Sequence, residues 1–135
     1  MSLRRQRDLP AGLTYVAALS IVYAIVALIL VLMGVQSIRT TTSSSELDFL
    51  VVASLLGASY VVLGGAFGLG ATALAAWAWP AGVIAQAIGV ATAVLIVIHG
   101  GSGPILAQAI FRGLVPVAVL LYLVRPDVRA AFGRR

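Results

Sequence analysis

The sequence predicts an all-α fold: one membrane domain over residues 1–135, built as an antiparallel bundle of four transmembrane helices. Three observations predict it. Of the residues 61% are hydrophobic and only 10% charged, where a soluble domain carries about 25% charged residues. The mean hydropathy is +1.11, too apolar for so short a chain to coat itself with polar surface. Four apolar runs approach or exceed the roughly 20 residues that a helix needs to cross a hydrocarbon core about 30 Å thick.

The first run, "AGLTYVAALSIVYAIVALILVLMG", occupies residues 11–34. It follows the basic start "RRQR", which fits the n-region of a signal peptide. The run is too long for a signal h-region, so the reading is an uncleaved helix. The second, "LDFLVVASLLGASYVVLGGAFGLG", occupies residues 47–70. "TTTSSSELDF" before it offers a capping box, with Ser43 and Glu46, or Ser45 and Asp48, three apart. The third, "WAWPAGVIAQAIGVATAVLIVI", covers residues 77–98, and the fourth, "PILAQAIFRGLVPVAVLLYLV", residues 104–124. "GGSGP" between them stops one helix and starts the next, because proline suits a first turn. So short a turn makes spans three and four antiparallel neighbours.

Orientation follows from the arginines. Arg4, Arg5 and Arg7 precede span one, and Arg125, Arg129, Arg134 and Arg135 follow span four. Only Arg39 lies between spans one and two, and "HGGSG" has no basic residue. The positive-inside rule therefore places both termini on the cytoplasmic face of the cell membrane. "LGATALAA", between spans two and three, is neutral and has no vote. Trp77, Trp79 and Tyr122 fall near the cytoplasmic interface, where amphipathic rings settle, and Tyr15 sits at a similar level. The net charge of +5 reports this topology, and no nucleic-acid partner is expected.

Between helices in lipid, small residues permit close backbone approach. Span three carries Ala81, Ala85, Gly89 and Ala93 at four-residue spacing on one face. Span two carries Gly57 and the GxxxG pair Gly64 and Gly68. Span one offers Ser20, Ala24 and Ala27, and span four Ala109 and Gly113. These faces serve packing inside one bundle, a seam between identical subunits, or both.

Chemistry is sparse. There is no cysteine, lysine or asparagine, and there is a single histidine. Disulfides, thiolate nucleophiles and cysteine metal sites are excluded, and no cofactor or metal is expected. His99, beside the glycine turn, reads as a solvated loop residue; a weak cation site or pH sensor with Glu46 and Asp48 is the sharper alternative. No Asp, Glu, His, Lys or Cys falls within a span core, so no enzyme is expected.

The exception to the apolar pattern is Arg112. With the outer boundary at Ile105 it lies seven residues in, or about 10 Å. An arginine at a helix centre costs from about 2.5 to more than 10 kcal/mol, and the lower values need a route to the interface or partners. Gln108 is one turn away on the same face. Ser54 and Thr92 come out at similar depth, with Gln86 below. Glu46 and Asp48 stand above as candidate counter-charges. Three roles compete for Arg112: snorkelling to headgroups, a hydrogen-bonded lock between helices, or the lining of a ligand or ion path. Pro116, one turn further in, frees a carbonyl and permits a kink.

"GLGATALAAWAWPAG" and the tail "YLVRPDVRAAFGRR" resemble the W-A-W step and RP-x-VR-x-AF tail of small, uncharacterised four-span prokaryotic membrane proteins. The resemblance covers about the last two-thirds of the chain, implies the same fold and brings no catalytic residues. It departs from that pattern at "ATALAA", where such proteins commonly have basic residues before the tryptophans. Small multidrug transporters need a glutamate in the first span, fluoride channels a Thr/Ser/Phe-rich motif, and quinone-linked disulfide enzymes cysteines; none of these is present. The expected function is a non-enzymatic scaffold or accessory subunit that packs with itself or a larger membrane complex, surrounded by lipid. The alternative is an oligomeric channel or transporter whose path the Arg112 layer lines.

Overall fold

The computed structural model describes residue 10, residues 12–99 and residues 103–133. Within α4 the side chains of Pro104, Ile105, Leu106, Gln108 and Phe111 are outside that description. The described chain is all-α: α1 Leu13–Thr40, α2 Ser44–Ala71, α3 Ala78–Ile98, α4 Pro104–Leu123 and a short α5 Pro126–Ala131. Three of these helices, α1, α2 and α3, are long and apolar enough to cross a membrane. In α4 the apolar stretch among the described residues is the shorter Arg112–Leu123.

The helices pack in chain order, α1 on α2, α2 on α3 and α3 on α4. Close approaches fix them as antiparallel. A Cβ on Gly68 would stand 2.4 Å from Cγ1 of Ile21, and one on Gly57 would stand 2.6 Å from Cγ2 of Val31. Gly82 faces Phe67 in the same way, and Gly89 faces Pro116. As residue numbers rise on one helix they fall on the next. α1 and α4 do not form a packed pair along their length. Among the described residues both contribute to the core at one end of the molecule.

That core end holds Leu13, Ala17, Phe67, Ala71, Leu74, Ala78, Val119, Leu123, Val128 and Phe132. It lies where α1 begins, α2 ends, α3 begins and α4 ends. Leu74 reaches it from the α2–α3 link with φ of 52°, a left-handed conformation unusual outside glycine. Burial of its side chain in the core holds it there. α5 folds back on the same end through Val128 and Phe132, both buried. Trp79 joins the pieces: its Nε1 donates to the Leu123 carbonyl at 2.8 Å, and Arg129 lies 5.7 Å over its ring.

Two local readings change. α1 runs through "VQSIRT" to Thr40, beyond the expected end at residue 34, so only residues 41–43 separate α1 from α2. Ser43 is the N-cap residue of α2 with extended backbone, but its side chain caps no backbone N–H and the capping box is not formed. Its hydroxyl instead lies 3.2 Å from that of Ser45.

Candidate functional site

Away from the core end the helices enclose a cavity of about 350 Å³. α1 contributes Tyr23, Val26, Ala27, Leu30, Val31 and Gly34; α2 contributes residues from Phe49 to Tyr60; α3 contributes Gly89, Thr92, Ala93 and Ile96. From α4, Arg112 reaches it. Small residues such as Ala27, Ala53 and Gly89 line the cavity, where α1 and α4 do not form a packed pair. Void follows where backbones are held apart by larger groups elsewhere and nothing fills the gap.

The mouth is lateral. Val26 and Leu30 line the cavity yet are 46% and 36% exposed, so the wall opens to the surroundings beside α1. At the far end Phe49, itself a lining residue, stacks on His99 with ring centroids 3.8 Å apart and planes 11° apart. The His99 backbone N–H donates to the Leu95 carbonyl at 3.0 Å. Glu46 and Asp48 are exposed in the first turns of α2.

Of the residues singled out by sequence, Ser54, Thr92 and Arg112 come together around this cavity. The Gln108 side chain lies outside the described residues. Gln86 does not line the cavity. It is fully buried on α3, and the Tyr60 hydroxyl is its polar neighbour. Neither Glu46 nor Asp48 pairs with Arg112: the ion pair among the described residues is Arg125–Asp127, 3.2 Å and exposed. The Thr92 hydroxyl donates to the Ile88 carbonyl at 2.8 Å.

The small residues are placed as follows. Gly57 and Gly68 face α1, while Gly64 stands against the ring of Tyr60 on its own helix. Gly89 meets Pro116 and Tyr60, and Ala93 meets Gly113, seating α3 on α2 and α4. Ala85 is buried and Ala81 half-buried.

Tyr23 and Tyr60 are functional candidates that sequence reasoning missed. Their rings meet edge to face, with centroids 6.3 Å apart and planes at 63°, and both line the cavity. Arg112 lines the same cavity as Tyr23. The available signal was their mid-span position, because a phenol in an apolar run needs a polar partner. The cavity thus offers a guanidinium and hydroxyl donors on an apolar wall, and no described carboxylate lines it.

Comparison with family models, with curated proteins and with solved structures gives no match. The site therefore stands on its own chemistry.

Proposed function

We propose that the chain is a multi-pass protein of the cell membrane, crossing it four times with both termini cytoplasmic. In this reading it is a non-enzymatic scaffold or accessory subunit, packed with itself or with a larger membrane complex. The observation that carries the reading is the outward surface. Ile29, Leu55, Val62, Ile98, Leu114 and Leu121 are all more than half exposed, and they are spread over four helices. Only hydrocarbon or another apolar helix satisfies such a surface. The resemblance of the W-A-W step and the tail to small four-span proteins is in keeping with it.

The alternative is an oligomeric channel or transporter with the Arg112 layer along its path. The packed core end argues for the scaffold. Phe67, Leu123 and Phe132 are no more than 1% exposed and fill the space that a path through one chain would need. A path would have to run between copies.

Native-detergent mass measurement, with co-purifying chains identified, tests the scaffold reading. The expected result is a stable multimer or a defined hetero-complex; a strictly monomeric chain at all concentrations overturns it. Ion flux in liposomes tests the alternative, because Arg112→Leu alters flux in a pore and leaves a scaffold assembled.

A further inference from the structure

The cavity around Arg112 has features that neither a scaffold nor a pore requires. Its volume of about 350 Å³ falls within the range of ligand pockets, about 300–1,000 Å³. Its wall is mostly apolar, from Val26 and Leu30 on α1 to Leu50 and Ile96. Its polar side chains include donors. The guanidinium has five N–H groups and no acceptor, and the hydroxyls of Ser54 and Tyr23 can each give a proton. The Thr92 hydroxyl has already given its own to Ile88. A guanidinium half removed from water with no carboxylate beside it is costly unless an anion joins it.

We propose that this cavity binds an anionic amphiphile. Its acyl chain lies on the α1–α2 wall, and its carboxylate or phosphate accepts from Arg112, with the Ser54 hydroxyl beside it. Two features select an amphiphile over a small soluble anion: the apolar wall and the lateral mouth at Val26 and Leu30. In a membrane that mouth faces acyl chains, so the ligand reaches Arg112 without crossing water. Arg112 lies eight residues past Pro104, or about 12 Å along the helix. Its side chain can extend toward an interfacial headgroup over part of that distance. The residues that line the site all come from one chain.

The shared chemistry has two sources, a phospholipid phosphate and a free fatty-acid carboxylate, and the experiment separates them. The full chain, purified in a non-ionic detergent, is titrated with dioleoyl phosphatidylglycerol, dioleoyl phosphatidylcholine and oleate and read by native mass spectrometry. The expected result is one phosphatidylglycerol or one oleate held per chain, at least about tenfold more tightly than phosphatidylcholine, as a charge-assisted hydrogen bond provides. Preference for phosphatidylglycerol names the phospholipid; preference for oleate alone names the free acid. Arg112→Gln is expected to bring anionic ligands to the phosphatidylcholine level, with Arg112→Lys recovering part of the difference. Ala27→Phe, which fills the cavity and keeps the charge, is expected to lose binding as well. If Arg112→Gln loses its helical circular dichroism, the lipid preference of the native chain and Ala27→Phe decide by themselves. Equal retention of all three lipids overturns the proposal. So does Ala27→Phe holding the anion as the native chain does, because the anion would then sit outside the cavity.

Discussion

Gly65 and Gly68 lie three residues apart on α2 and face different surroundings, which makes them a matched test of the packing. Substitution by alanine gains the same helix propensity at both, roughly 1 kcal/mol, so that contribution cancels in the difference. At Gly65 a Cβ meets nothing within 4 Å. At Gly68 it meets Cγ1 of Ile21 at 2.4 Å and the backbone carbonyl of Ala17 at 3.0 Å. A backbone atom cannot rotate away, so α1 must move outward or Ile21 must leave its rotamer. Overpacking of this kind costs about 1–3 kcal/mol. Gly68→Ala is therefore expected to be less stable than Gly65→Ala by about 1–3 kcal/mol. The assay is reversible unfolding in mixed micelles with rising dodecyl sulfate, followed by circular dichroism at 222 nm. Equal stabilities would refute the reasoning, because they would mean that α1 does not sit on α2 at Gly68.

Other outcomes follow from single contacts. Trp79→Phe removes the donor to the Leu123 carbonyl and keeps the ring, so a loss of about 1 kcal/mol and faster proteolysis within α5 are expected; unchanged cleavage contradicts the role given to Trp79. Gln86→Met replaces a buried amide whose polar neighbour is the Tyr60 hydroxyl; if that hydroxyl leaves the amide unsatisfied, unfolding becomes harder by about 1 kcal/mol. A loss of that size would show that the Tyr60 hydroxyl holds the amide. Asp127→Ala removes an exposed ion pair and should shift stability by less than about 0.5 kcal/mol in the same titration. The native chain has no cysteine, so Ser43→Cys and Ala130→Cys give clean labels. An impermeant maleimide on intact cells should reach position 43 and not position 130; the reverse pattern inverts the proposed orientation.

Hydrophobic length made much of the helical architecture legible. The apolar runs located α2, α3 and α4 to within a few residues, because a helix in hydrocarbon must satisfy its own backbone and the apolar composition marks where it does so. The end of α1 was not legible. "VQSIRT" is polar enough to read as loop, yet nothing in it breaks a helix, and the turn needs only residues 41–43. α5 was hidden for a related reason: six residues make a marginal helix alone, and burial of Val128 and Phe132 in the core holds it. The glycine at 64 read as half of an interhelical GxxxG, but its neighbour is Tyr60 of its own helix, because a large aromatic one turn away covers that face.

By itself the sequence determined that the chain is helical, apolar and free of thiol chemistry, and it marked Arg112, Ser54 and Thr92 as polar residues at one depth. Depth along a helix is a one-dimensional quantity, and residue counting measures it. Which helices touch is three-dimensional. The tertiary structure decided that α1 and α4 part beyond their shared core. It thereby set Arg112 facing a cavity with Tyr23 and Tyr60, and left Gln86 sealed in a different place.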